Sequence, residues 1–214
     1  MQKSSLEESP KVNHTKQVKL AFLGYFFIFI GIVLLDLLTK FWAEKSYLTH
    51  FSLVDIKVYN YVSDFIFRIG SSTNWIEFET TYLRNTGAAW GFLGNLPENI
   101  RPYLFYVITV VAMIIIFIFF LKTPSKQILS RLAILFIFSG AAGNFLDRVM
   151  LHYVIDWIHF KWSLFGWDYD YPVFNIADSV VTFGAILLVI DTVKEDIKIR
   201  KANKIRKARK SSKS

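Results

Sequence analysis

The sequence predicts a mainly α-helical membrane protein. We expect four transmembrane helices, both termini cytoplasmic, and a small β platform in the first outer loop. Of the 214 residues, 53% are hydrophobic. They lie in long uncharged runs rather than in the two-residue alternation of an outer-membrane barrel, and charged segments separate the runs. This pattern disfavours a soluble globule, a disordered chain and a collagen-like chain.

Four apolar runs are long enough to cross a bilayer, since about 20 residues span its hydrocarbon core. The runs are 20–43, 102–121, 132–148 and 173–190. The first run follows a polar lead and lacks a small-residue cleavage site. We therefore expect an uncleaved anchor rather than a cleaved signal peptide.

Basic residues predict how the helices are oriented. The segments 1–19, 122–131 and 194–214 hold 17 of the 25 Lys and Arg residues, which places all three on the cytoplasmic side. We predict three parts: a cytoplasmic N-terminal tail (1–19), a membrane domain (20–192, including the outer loop 43–101) and a basic cytoplasmic C-terminal tail (193–214). We expect the basic tail to lie against anionic lipid, with RNA binding as the less favoured alternative.

The two outer loops are predicted to differ in character. The loop 43–101 is too long for a simple connector. Its residues 76–82 alternate apolar and polar side chains, which predicts a strand with one apolar face. Ile56 and Val58 on either side of Lys57 suggest a second strand. The loop 151–172 is rich in aromatic residues, which favour the membrane–water boundary.

Ionisable residues inside membrane spans are costly and usually functional. Asp36 and Lys40 share a helix face near the outer end of the first run, and Asp147 and Arg148 come late in the third. Asp178 lies about six residues into the fourth run, or ~9 Å along a helix. Because the third run leads outward and the fourth leads inward, their carboxylates are predicted to meet in the outer leaflet.

We expect a structural ion pair of Asp36 with Lys40 and structural roles for Asp147 and Arg148, with the Arg148 guanidinium donating to a neighbouring carboxylate or a backbone carbonyl. Two aspartates stand apart from these residues. Asp156 and Asp178 have no adjacent cation. Two carboxylates in a weakly solvated place do not both ionise easily, so one keeps its proton and the other acts as a base. That arrangement suits the activation of water for amide hydrolysis.

Other chemistries receive less support from the residues. The chain has no cysteine, and its four histidines lack HExxH spacing, so we predict no metal site. A Ser–Lys dyad of Lys40 with Ser139 or Ser179 has no motif behind it. A small transporter or proton relay remains open, because intramembrane Asp and Lys also mark ion paths. A structural scaffold would not explain why costly carboxylates gather at one depth.

Five motifs occur in order within residues 20–192. They are Asp36-x-x-x-Lys40, Asn85-Thr86-Gly87-Ala88-Ala89, Gly143-Asn144-Phe145-Leu146-Asp147-Arg148, Val154-Ile155-Asp156 and Phe174-Asn175-Ile176-Ala177-Asp178. On these motifs the chain resembles the bacterial lipoprotein signal peptidases (signal peptidase II), which are membrane aspartyl peptidases.

The resemblance implies a catalytic pair, Asp156 and Asp178, with Asp147 in a structural role. It also implies substrate-binding or dyad-supporting roles for Asp36, Lys40, Asn85, Gly87, Asn144, Arg148, Asn175 and Ala177. The implied substrate is a diacylglyceryl-modified prolipoprotein, cleaved just before the lipidated Cys. No metal or cofactor would be used. We expect a protein of the bacterial inner membrane, in contact with lipid, without nucleic acid, monomeric, and with its active site at the outer face.

The chain departs from the family pattern at a few positions. His152 and Ser139 stand where the family usually has Gly, and Trp90 and Trp157 stand where it usually has Phe. The outer loop 43–101 and both tails are longer than expected. These departures bear on substrate preference and on the pH response near His152 rather than on the reaction.

Overall fold

A computed structural model describes residues 14–50, 61–87 and 100–211. Its helices are α1 (His14–His50), α2 (Arg101–Lys122), α3 (Ile128–Leu151) and α4 (Ile176–Ser211). Its strands are β1 (Tyr61–Gly70), β2 (Trp75–Asn85), β3 (Val154–Leu164) and β4 (Trp167–Asp170). All four helices are long and apolar enough to cross a membrane, which confirms the predicted spans within the described residues.

Helix α3 lies at the centre of the bundle and packs against α1, α2 and α4. Glycines permit this close approach. Gly140 of α3 lies against the main chain of Ala177, at the start of α4. A Cβ atom at Gly143 would lie 2.6 Å from Oδ2 of Asp36, so α1 also approaches α3 closely. The glycines therefore bring together the three helices that hold the buried charges.

The two loops predicted to be outer loops form one antiparallel sheet with the strand order β1-β2-β3-β4. The strand predicted at residues 76–82 is confirmed as part of β2, and β1 completes a hairpin with it. The second outer loop supplies β3 and β4, which its aromatic composition did not predict. The strand suggested around Lys57 lies outside the described residues.

One face of the sheet is polar and largely buried. Arg68 forms an ion pair with Glu77, and Lys161 lies 2.9 Å from Glu79. His159 Nδ1 lies 3.0 Å from the same Glu79 carboxylate. Burial opposes the ionisation of Glu79, yet the hydrogen bonds and charges of Lys161 and His159 hold its pKa below the usual value. Paired charges therefore stabilise this face in place of an apolar core.

The opposite face is aromatic. Phe78 on β2 contacts Phe67 on β1 and Phe160 on β3, with ring centroids 5.5 Å and 5.0 Å apart. Phe67 and the neighbouring Ile76 are exposed. Aromatic surfaces of this kind suit the boundary between membrane and water.

Helix α4 differs from its prediction at both ends. It starts at Ile176 rather than near residue 173, because Phe174 exchanges main-chain hydrogen bonds with Ile158 of β3. At the other end the helix continues to Ser211, through the segment predicted as a basic tail. The domain boundary at residue 193 stays a prediction, but the helix has no break there.

Candidate active site

Asp156 is held in place by two asparagines. The residue lies on β3 and is 2% exposed. Its Oδ2 accepts a hydrogen bond from Asn85 Nδ2 at 2.8 Å, and its Oδ1 accepts one from Asn175 Nδ2 at 2.7 Å. Asn85 ends β2 and its own Oδ1 accepts the Gly87 N–H at 3.0 Å. The first outer loop thus positions a carboxylate that belongs to the second.

Asp178 is fixed by the way α4 begins. Asn175 precedes the helix, and its Oδ1 accepts the Asp178 N–H at 2.9 Å. In return, Asp178 Oδ2 accepts the Asn175 N–H at 3.3 Å. This reciprocal pair is a capping box with Asp in place of Glu. Asn144 on α3 donates to Asp178 Oδ1 at 2.7 Å, and the first turn of a helix favours an anion.

A single side chain, that of Asn175, connects the two aspartates. Its Nδ2 donates to Asp156 Oδ1 and its Oδ1 accepts the Asp178 N–H, while its main-chain N–H donates to Asp178 Oδ2. Asn175 is fully buried and its amide also bonds Asn144 Oδ1 at 3.1 Å. The predicted meeting of Asp156 and Asp178 is therefore matched by a hydrogen-bonded junction between β3, α3 and α4.

Asp156 has a strongly perturbed ionisation. Burial and the nearby charge of Asp178 raise the pKa of Asp156 to about 7, although Asn85, Asn175 and Lys40 act in the opposite direction. A carboxyl group with this pKa can hold a proton near neutral pH and act as a general acid.

A buried charge cluster lies beside the aspartates. Lys40 Nζ lies 2.7 Å from Asp36 Oδ2 and 2.9 Å from Asp147 Oδ2, and it donates to Asn144 Oδ1 at 3.0 Å. The other oxygen of Asp36 accepts the Ala177 N–H at 2.8 Å. The cluster therefore links α1, α3 and the start of α4.

The expected ion pair between Asp36 and Lys40 is present. Asp147 also forms an ion pair with Lys40, and it forms none with its neighbour Arg148. Asp147 Oδ2 also accepts the Ile155 N–H at 3.2 Å, directly before the first aspartate of the site. Arg148 instead donates to the carbonyl oxygens of Asn144 and Gly87, at 3.2 Å and 3.5 Å. Side chains that are adjacent in a helix point in different directions, so the donation expected from Arg148 goes to backbone carbonyls and not to Asp147.

Tyr106 is a neighbour of the site that sequence reasoning missed. Its hydroxyl donates to the Arg148 carbonyl oxygen at 2.7 Å and lies 2.9 Å from His152 Nδ1. His152 ends α3 in the left-handed region with φ 67°, a conformation that favours glycine. Tyr106 lies in an apolar helix, where no motif distinguishes it from other membrane-facing aromatic residues.

An aromatic groove of about 420 Å³ leads to Asp178. Phe160, Trp162 and Phe174 line it on the sheet side, and Phe183 lines it on α4. The groove therefore joins a carboxylate to the aromatic face of the sheet and to the membrane-facing side of a helix. Its chemistry suits an apolar ligand with one polar group near Asp178.

Comparisons with known proteins agree with this geometry. A family model described as Signal peptidase (SPase) II matches residues 28–194. A lipoprotein signal peptidase of Staphylococcus aureus (strain MRSA252) is 37% identical over 147 residues, covering 68% of this chain and 85% of the relative. One from Geobacter metallireducens is 41% identical over 126 residues, covering 59% of this chain and 74% of the relative.

Two solved structures, each a bacterial membrane enzyme determined by the in meso method, share the fold. The one at 2.3 Å resolution has a TM-score of 0.60 and 31% identity, and the match covers 81% of this chain and 89% of that one. The one at 1.9 Å has a TM-score of 0.59 and 31% identity, covering 80% and 93%. The matched family model, the relatives and the membrane fold together establish that this chain is a bacterial membrane protein belonging to the signal peptidase II family.

Proposed function

We propose that this chain is an aspartic endopeptidase that cleaves diacylglyceryl-modified prolipoproteins just before the lipidated Cys. Family membership makes it a protease acting on lipoprotein signal peptides. The aspartic chemistry is our inference, and it rests on Asn175, whose hydrogen bonds join Asp156 and Asp178 in one buried junction. Asp36 and Asp147 share a cation, Lys40, whereas Asp156 and Asp178 share the neutral side chain of Asn175, and Asp178 also lines the aromatic groove.

The two aspartates divide the proton-transfer roles. Asp156 is the better general acid, because burial raises its pKa to about 7. Asp178 is the better base, since it accepts two N–H hydrogen bonds in the first turn of α4, where an anion is favoured. The dyad as a whole then holds one proton near neutral pH.

The reaction follows from this division. Asp178 takes a proton from a water molecule, and the water oxygen bonds to the carbonyl carbon before the Cys. Asp156 gives its proton to the carbonyl oxygen, which forms a tetrahedral intermediate. The intermediate collapses when the C–N bond breaks, and the proton on Asp178 passes to the leaving Cys amine. As the carbonyl re-forms, one of the two hydroxyl groups returns a proton to Asp156, which restores the starting state of the dyad. General acid–base catalysis of this kind contributes about 10²–10⁴-fold.

The surrounding residues have positioning roles in this proposal. Lys40 and Asp36 hold the start of α4, and Asn144 orients Asp178. Asn85 orients Asp156, and the Gly87 carbonyl places Arg148 next to the dyad. We propose that Arg148 and the main chain at Gly87 hold the substrate backbone. Asp147 remains structural, which its contacts with Lys40 and Ile155 support.

The groove beside Asp178 supports an apolar substrate that enters from the membrane. The signal helix of the prolipoprotein would approach between the spans, and its acyl chains would stay in lipid. We place the active site at the outer face of the inner membrane, because the basic segments gather at the opposite ends of the helices. Function as a monomer, without cofactor or nucleic acid, stays a prediction.

The decisive experiment is the processing of a diacylglyceryl-modified prolipoprotein by purified protein in detergent. We expect Asp156→Asn and Asp178→Asn each to lower kcat by at least about 10²-fold. Asp168→Asn is the matched control, because Asp168 is exposed on β4. Each variant is first shown to melt cooperatively. Near-normal turnover of either dyad variant would overturn the mechanism, and release of a peptide cut elsewhere would overturn the cleavage site.

A further inference from the structure

A second cleft lies at the end of the bundle away from the dyad. It is formed between α1, α2 and α3, has a volume of about 300 Å³, and is lined almost entirely by aromatic side chains, among them Phe22, Tyr25, Phe26, Phe117 and Phe120. Several of these rings are exposed on the membrane-facing side of the helices. The cleft is therefore open to lipid and has the chemistry of an acyl-chain site.

Arg131 lies at one end of this cleft. Its guanidinium carbon is 5.7 Å from the ring centre of Phe22, 5.9 Å from that of Tyr25 and 5.3 Å from that of Phe120. Arg131 is only 8% exposed, and its Nε and Nη2 both donate to the Thr123 carbonyl oxygen, at 2.9 Å and 2.8 Å. Across residues 14–50, 61–87 and 100–211, no carboxylate forms an ion pair with it.

This placement of a cation is unfavourable without an anion. A buried charge is costly unless it is paired, and cation–π contacts with aromatic rings offset only part of that cost. Arg131 also lies in the first turns of α3, where the helix dipole opposes a cation. An anionic group bound to the guanidinium would offset both costs.

The position in the fold indicates where that anion comes from. Arg131 lies 13 residues before Asn144 on α3, or about 20 Å from the depth of the dyad. Two further basic residues precede Arg131 by nine and five positions, namely Lys122 at the end of α2 and Lys126 in the following connection. Clustered basic residues at a helix end mark the depth of lipid headgroups, where phosphate is abundant.

We propose that this cleft binds one anionic phospholipid. Its phosphate lies at Arg131, and one acyl chain lies in the aromatic cleft. The substrate's signal helix is a poorer occupant. A signal peptide carries basic residues at the end away from its cleavage site, and Arg131 would repel them there. That exclusion rests on the proposed function, whereas the lipid site itself does not.

The test measures lipid retained by the purified full chain. The protein in detergent is incubated with dioleoylphosphatidylglycerol or dioleoylphosphatidylcholine, separated from free lipid, and analysed by mass spectrometry. Both lipids carry a phosphate, but the choline ammonium of phosphatidylcholine places a second cation close to the guanidinium, so we expect retention of phosphatidylglycerol to exceed that of phosphatidylcholine by at least about tenfold. Arg131→Gln should remove the preference and Arg131→Lys should restore part of it.

Lys126→Gln is the matched control, because it makes the same change of charge at an exposed position in the connection that precedes α3. We expect this variant to keep the preference for phosphatidylglycerol. We also expect that soluble glycerol phosphate does not displace the lipid. Equal retention of the two lipids by the unchanged protein would overturn the proposal, even if Arg131→Gln did not fold. So would full retention by Arg131→Gln, or capture of a prolipoprotein by a photo-crosslinker at position 26. None of these measurements depends on peptidase activity.

Discussion

Asn85 provides the sharpest test of how the dyad shares its proton. Its amide donates to Asp156 at 2.8 Å, and this hydrogen bond favours the ionised carboxylate. In the proposed reaction Asp156 acts as the general acid, so kcat/KM falls as the pH rises through its pKa of about 7. Removing the amide by Asn85→Ala raises this pKa and moves the alkaline limb of the profile to higher pH.

The size of the shift follows from the strength of the lost hydrogen bond. A hydrogen bond to a charged group contributes about 1.5–3 kcal/mol, and a change of one pKa unit corresponds to about 1.4 kcal/mol. We therefore expect the alkaline limb to move up by about one to two pH units. The direction of the pKa shift does not depend on its size, because the hydrogen bond from Asn85 favours the ionised form of Asp156 over the protonated form.

The assay is kcat/KM for prolipoprotein processing across the pH range in which the variant stays folded. Asn74→Ala is the matched control, since Asn74 lies in the β1–β2 turn and donates and accepts only among the neighbouring turns. An alkaline limb that stays in place, or moves to lower pH, in Asn85→Ala would refute the assignment of Asp156 as the acid.

Three further predictions concern the packing and charge around the site, and each is tested by the melting temperature of the purified protein. Gly143→Ala should destabilise the protein, because its Cβ would lie 2.6 Å from Asp36 Oδ2, whereas Gly24→Ala, with nothing within 4 Å, should stabilise α1 by up to about 1 kcal/mol. Equal effects would contradict the close packing. Lys40→Met leaves the buried carboxylates of Asp36 and Asp147 without their cation and should lower the free energy of unfolding by about 3–5 kcal/mol. A variant as stable as the unchanged protein would mean that these carboxyl groups are protonated rather than charged. His152→Gly should be more stable than His152→Ala by about 1 kcal/mol, since only glycine adopts the left-handed region freely, and the opposite order would refute the strain.

The sequence predicted the elements whose signals are local. Long apolar runs predict spans, and the alternation around Phe78 predicts β2, because both patterns follow from the geometry of a single segment. The sequence also predicted that Asp178 and Asp156 lie at the same depth, since antiparallel spans bring a late residue of one and an early residue of the next together. The sequence did not predict that the two loops share one sheet. Strand β3 contains Asp156, His159 and Lys161 and lacks a regular alternation of apolar and polar residues.

Contacts between distant chain segments were the features that the sequence did not predict. The pairing of Asp147 with Lys40 depends on the rotation of α1 about its axis, which composition does not encode. Arg131 looked like one more basic residue of an orienting loop, and only the packed helices show that it is buried among aromatic rings. Side-chain burial of this kind depends on which helix faces meet.

The two-loop sheet has a consequence for biogenesis. Strands β2 and β3 come from chain segments separated by two membrane crossings, and Asn85 on one must reach Asp156 on the other. Asn175 enters later still, immediately before the last helix. The hydrogen-bonded junction therefore forms only after the chain has been made as far as the first turn of α4. In the proposed mechanism, a chain that has not reached this point has no assembled dyad and no peptidase activity.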